Sequence, residues 1–146
     1  MNKSPKVKGE KGQCIVIGEL AKHDIQCAIP LSDNLPFDLI IIHGEKLYKA
    51  QIKTSSYCNK QTKGSIAFDL TTNNWHQKVT KKYKKGDVDL FLLCDYKTVY
   101  ILTENDFLGR RSFSIRTVAT KNGQTKNCNM AEDYEISDKR IKDCFL

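Results

Sequence analysis

FDLIIIHGEKLYKAQIKT, residues 37–54, reads as two apolar strand-like runs, 37–42 and 47–54, joined by the tight turn HGEK with Gly44 available for a positive φ. A turn symmetric about Gly44 and Glu45 sets residue 38 opposite residue 51. Directly opposed side chains lie on one face of an antiparallel pair, and residue 53 is two positions on from 51, so Asp38, Gln51 and Lys53 converge on one patch. The other face then receives Leu39, Ile41, Tyr48, Ala50 and Ile52, a plausible core set. Ile40 and Ile42 share the polar side, so the segregation is imperfect. A shift of one residue in either strand would disperse the trio, which makes the register the point on which the reading turns.

Around this hairpin the chain alternates in the same manner. Residues 9–23, GEKGQCIVIGELAKH, carry a helical apolar stripe, and IQCAIP makes a short strand stopped by Pro30. GSIAFDL is a further strand, followed by a basic connection around residue 80 read as loop or helix. DVDLFLLC, the turn DYK and TVYILT form a second hairpin whose near-continuous apolar character predicts a central, doubly covered position. Beyond residue 103 the pattern gives a short helix at ENDFLG, an irregular basic segment, and a last amphipathic piece, EISDKRIKDCFL, suited to packing on a partner subunit. The order predicts an α/β (α+β) fold around a mixed sheet. No internal repeat or low-complexity linker interrupts it.

Length and composition bound the function. A chain of 146 residues is expected to make one domain spanning 1–146, with an ordinary hydrophobic fraction of 40%. No apolar run reaches membrane-spanning length, and the basic N-terminus lacks the apolar region of a secretory signal. Six cysteines stand singly at 14, 27, 58, 94, 128 and 144, with no CxxC or CxxH pairing, which argues against zinc and for an intracellular setting where thiols stay reduced; the expected localisation is cytoplasmic, and nucleoid-associated for a DNA-binding protein.

The net charge is +7, and it is segregated. Residues 70–86 hold five lysines and no acid, and residues 107–131 hold five Lys or Arg and no acid. Such runs are often only solvated faces. Interleaved with Trp75, Tyr83 and Phe113, they point instead to a polyanion partner, nucleic acid foremost. Lys78, Lys81, Lys82, Lys84 and Lys85 are the candidate phosphate contacts, and Arg110, Arg111 and Arg116 are candidates for phosphates or guanine edges.

A carboxylate, an amide and an ammonium gathered on a sheet suit phosphodiester chemistry. Mg²⁺ takes oxygen ligands at about 2.0–2.1 Å and keeps several waters, so one carboxylate, an amide or main-chain carbonyl and a phosphate can hold it. The ordinary alternative is an aspartate at a strand start paired with a lysine.

At these residues the sequence resembles the PD-(D/E)xK nuclease superfamily: "PFD" supplies the aspartate after a proline, and "QIK" stands where the family has (D/E)xK. Glutamine there is a departure, one shared with small cyanobacterial homing endonucleases encoded in group I introns. The likeness extends through KGEKGQ, AIPLSDNLPFDLIIIHGEKLYKAQIKT and KKGDVDLFLLCDYKTVYIL, covering residues 9 to about 110. It implies a restriction-endonuclease-like mixed sheet flanked by helices and a Mg²⁺-dependent endonuclease, with Mn²⁺ a substitute, making double-strand breaks at a long pseudo-palindromic site. Asp38, Gln51 and the Ile52 carbonyl would be metal ligands and Lys53 the catalytic lysine.

The helix acid of the family falls on Gln13. This leaves Asp38 as the lone carboxylate, so that either a neighbour such as Glu10 or Glu19 substitutes, or position 13 is disabled, as an engineered Glu→Gln change would leave it. Glu19 reads more simply as helix-surface charge. Two nicks per double-strand break imply a homo-oligomer, a dimer or a dimer of dimers, with segment 115–146 serving DNA binding or oligomerisation. A Holliday-junction resolvase, a non-catalytic DNA-binding module derived from a nuclease and an RNA-binding protein are the competing readings, the last resting on charge alone.

Overall fold

The computed structural model describes residues 4–56, 64–74, 79–124 and 126–145. The chain opens with α1, Pro5–Lys22, four residues earlier than the sequence pattern suggested. The start is set by Ser4, whose Oγ accepts from Val7 N, and by Pro5, whose fixed φ suits the first helical turn. The end is a Schellman turn: Asp24 adopts φ 57°, its N–H donates to the Ala21 carbonyl and the Ile25 N–H to that of Leu20, with Leu20 and Ile25 both buried.

Five strands make one mixed sheet in the order β1 (Gln26–Ala28), β2 (Leu39–His43), β3 (Lys46–Thr54), β7 (Leu90–Cys94), β8 (Val99–Thr103). β1, β2 and β3 run antiparallel in turn, β3 pairs with β7 in parallel, and β7 with β8 antiparallel. The β2–β3 turn spans Gly44 and Glu45, with Gly44 at φ 62°, and the register pairs Leu39 with Ala50 and Ile41 with Tyr48, as the symmetric turn predicts. Leu39, Ile41, Ala50 and Ile52 are buried on the face covered by α1 and by α4 (Asp138–Cys144), with Val16, Leu20, Leu92, Ile101, Ile141 and Phe145. α1 lies close there: a Cβ on Gly12 would overlap Thr54 Cγ2.

The opposite face carries a second core, in which Phe91, Leu93, Tyr100 and Leu102 meet Phe68, Phe113 and Ile115. The last three come from a ribbon of β4 (Ser65–Asp69) and β9 (Ser112–Arg116), so the segment expected to be irregular around residue 113 is a strand. The connection around residue 80, expected as loop or helix, is likewise a ribbon of β5 (Thr71–Asn74) and β6 (Val79–Lys82). All four side chains of β6 are exposed, so no buried face imposed a readable period on the sequence.

β7 sits inside the sheet as predicted, whereas β8 is an edge strand. It is buried because the tail caps it. Ile136 N donates to the Val99 carbonyl, and Arg140, packed over the Tyr134 ring and paired with Asp106 of α2 (Glu104–Phe107), donates to the Ile101 carbonyl from Nη2 at 2.7 Å. These contacts occupy an otherwise open edge. The tail's apolar side chains Ile141, Cys144 and Phe145, expected to face a partner, are covered by their own chain, and the short helix α3 (Ala131–Tyr134) precedes them in sequence. No helix among the described residues is long and apolar enough to cross a membrane.

Candidate active site

The site lies on the second-core face, where β2 begins and β3 passes through the middle of the sheet. Asp38 sits one residue before the β2 ladder. Its N–H donates to the Ala50 carbonyl at 2.9 Å, and its Oδ2 accepts from Ile52 N at 3.1 Å, so the side chain itself bonds the strand between Gln51 and Lys53. Gln51 and Lys53 follow on alternate positions of β3, opposite Phe91 and Leu93 of β7. Lys49, two residues before Gln51, is held on both sides: its N–H donates to Asp89 Oδ2 at 2.8 Å and its Nζ to the Gly86 carbonyl.

Lys53 is half-buried and firmly placed. Its Nζ donates to the Thr71 carbonyl at 2.7 Å and lies 5.6 Å from the centre of the Tyr83 ring. Burial pushes its pKa below the ordinary lysine value, against the opposing pull of Asp69 and then Asp38. Burial pushes Asp38 the other way, above the usual carboxylate range, although the Ile52 N–H and the Lys53 charge both favour its ionised form. Burial, with Asp38, Asp87 and Asp69 nearby, pushes Tyr83 up to about 12. Both charges of the Asp38 and Lys53 pair are therefore held partly desolvated.

Asp69 is the group that the sequence reading missed. It ends β4, and its Oδ1 accepts from Thr71 N at 2.8 Å and from Thr71 Oγ1 at 2.6 Å. In sequence it is one acid in a strand, far from Lys53. Only the fold of β4 and β5 against the sheet brings them together. Asp69, Thr71 and Thr80 line an open cleft of about 430 Å³ with Ala67, Arg111 and Ser112.

Gln13 is half-buried on α1, next to Gly12 where the helix meets Thr54, and no hydrogen bond ties it to the described residues of the site. Glu10 is exposed, and Glu19 pairs with Lys22 at 2.8 Å, a helix-surface interaction. Among the described residues no group of three His, Cys, Asp or Glu side chains forms a metal cluster. Oxygen donors are present nonetheless: the Asp38 carboxylate and, on the adjoining strand, an amide and main-chain carbonyls. That is a set suited to a hard divalent cation that retains waters.

Of the basic residues, Lys81, Lys82, Lys84, Lys85, Arg110 and Arg111 are exposed. Arg110 stacks over Phe113 at 5.3 Å. Arg116 is different: it is half-buried, its main chain pairs with Ser65, and its Nε is buried without a hydrogen-bond partner among the described residues. Lys78, with Trp75 and His76, lies outside the described residues.

A mixed sheet flanked by helices, with an aspartate at the mouth of β2 and Q-x-K on β3, defines the restriction-endonuclease-like class. The family model for PD-(D/E)XK endonucleases matches residues 3–137, and the chain belongs to that family. It is similar to a bacterial homing endonuclease of known structure, I-Ssp6803I, at 26% identity and a TM-score of 0.71, over 91% of this chain and 89% of that one. A match to the crystal structure of MepB, at 10% identity over 78% of this chain and 89% of that one, has a TM-score of 0.38, too low to relate the folds. No curated protein matches the chain.

Proposed function

We propose that the chain is a Mg²⁺-dependent endodeoxyribonuclease that cuts double-stranded DNA at a long, pseudo-palindromic site, acting inside the cell as a homo-oligomer, a dimer or dimer of dimers. The observation that carries this reading is the placement of Asp38 beside Lys53 on one face of the sheet, the Asp38 carboxylate accepting from the N–H of Ile52, the residue before Lys53, and the two charges acting on one another. The likeness to a homing endonuclease supports the substrate class.

In this reading Asp38, Gln51 and the Ile52 carbonyl hold the cation, with Mn²⁺ a substitute. When bound, it lowers the pKa of a coordinated water and offsets charge on the scissile phosphate. Asp38 must be ionised to serve, so cation binding works against the desolvation that raises its pKa. Lys53 presents an ammonium with three donors, one of them spent on the Thr71 carbonyl, leaving two for phosphate oxygens or the attacking oxygen. Lys81, Lys82, Lys84, Lys85, Arg110 and Arg111 grip the flanking phosphates.

Position 13 is where the nuclease resemblance puts the acid of the first helix, and a glutamate there would restore that acid. The test is to incubate the chain and its Gln13→Glu variant with Mg²⁺ and a long mixed DNA pool and map the breaks. The expected result is cutting by Gln13→Glu at a defined near-palindromic site, with the chain itself binding there and cutting at least about tenfold more slowly. Binding by both proteins without cleavage in Mg²⁺ or Mn²⁺ would show a DNA-binding module in place of an enzyme.

A further inference from the structure

We propose that Asp69 is a positioning residue of this site, holding Thr71 so that its carbonyl fixes the ammonium of Lys53. The inference rests on the nuclease reading of Lys53. Three hydrogen bonds carry it: Thr71 N and Thr71 Oγ1 donate to Asp69 Oδ1 at 2.8 and 2.6 Å, and Lys53 Nζ donates to Thr71 O at 2.7 Å. Thr71 is a polar residue within the core, only 6% exposed. A buried hydroxyl must find a partner, and the charged acceptor gives it a short, strong one.

The junction is fixed from the other side as well. Leu70, between Asp69 and Thr71, is buried and donates its N–H to the Arg111 carbonyl at 2.9 Å, so the Asp69–Leu70 peptide that leads into Thr71 is tied down as well. A lysine stem has four rotatable bonds, and a single main-chain acceptor does not orient it unless that acceptor is itself immobile. Asp69 supplies the immobility.

Thr71 also opens β5, paired with Lys82 of the exposed basic ribbon. The same residue therefore links the surface proposed to grip DNA with the ammonium proposed to act on it.

A purely structural Asp69 would shape the turn and nothing more, and the two roles separate in kinetics. In whichever parent cuts, the chain or its Gln13→Glu variant, we would measure DNA affinity and single-turnover cleavage for Asp69→Asn, Thr71→Val and Thr71→Ser. Proton exchange at Lys53 Nζ would be followed by NMR. Asp69→Asn and Thr71→Val are expected to bind DNA within about twofold of the parent, cleave about 10- to 100-fold more slowly, and exchange the Lys53 ammonium protons faster. Thr71→Ser, which keeps the hydroxyl, is expected to retain parental rate and exchange.

Parental cleavage and exchange in a folded Asp69→Asn, or an equal loss in Thr71→Ser, would overturn the positioning role. If neither parent cuts, the nuclease reading fails on its own, and the exchange measurement still decides whether Asp69 holds Lys53. Should Asp69→Asn not fold, the Thr71→Val and Thr71→Ser pair gives the same decision.

Discussion

Asp38 is placed at a cost to the fold. Its folded pKa lies above the ordinary carboxylate value, so its contribution to stability is full below that ordinary value and is lost as pH rises through the raised one. At neutral pH the ionised side chain therefore burdens the fold. Asp38→Asn keeps an oxygen acceptor for the Ile52 N–H and removes the desolvated charge. Its melting temperature is expected to equal the parent's in acid and to match or exceed it at neutral pH, by calorimetry at two pH values. Cleavage is expected to fall by about two to three orders of magnitude, the scale of losing one preorganised electrostatic group. A residue that weakens the fold at a proposed reaction centre fits the trade of stability for activity. Sequence reading reached Asp38, Gln51 and Lys53 because all three sit within one hairpin, where parity of position decides which face a side chain takes. It did not reach Asp69 or Thr71, because their approach to Lys53 depends on where a second ribbon folds, and no local spacing encodes that.

At the scale of elements, the close seat of α1 on β3 makes a sharp demand at Gly12. Alanine would add helix propensity worth about 1 kcal/mol, yet its Cβ would overlap Thr54 Cγ2, and such overpacking costs about 1–3 kcal/mol. Gly12→Ala is expected to lower the melting temperature, and Thr54→Ala in the same protein to recover most of that drop, as read from thermal unfolding of the single and double variants. The elements that could be read from sequence are those with a buried face: α1 by its stripe, β2 and β3 by alternation, and β7, buried on both faces, by its continuous apolar run. The β5–β6 ribbon was hidden because β6 is exposed throughout. β9 did carry a signal, Phe113 and Ile115 inward alternating with outward serines, but it was masked by the arginines before it and at its end. α1 begins earlier than its stripe because Ser4 and Pro5, not apolar spacing, set its first turn.

For the molecule as a whole, exposed basic residues lie on or beside the two ribbons. Exposed Lys81 and Lys82 lie on β6, and Arg110 and Arg111 precede β9. Replacing Lys81 and Lys82 with alanine is expected to weaken binding across all DNA sequences alike. The slope of log affinity against log salt should shrink by about 1 for each phosphate left unneutralised, measured by fluorescence titration at several salt concentrations. The charge segregation that marked this surface was plain in the sequence. Its location beside Lys53 was not, since β4, β5 and β6 all belong to the excursion between β3 and its parallel neighbour β7. A ribosome releases Asp38, Gln51 and Lys53 well before it releases Thr71 and the Leu90–Cys94 strand that pairs with β3. The nascent chain would therefore carry the proposed reactive residues unarmed, on a hairpin whose β3 still lacks β7 and whose lysine has no anchor. A product truncated before Thr71 would hold the proposed reactive trio and be harmless to the genome that encodes it.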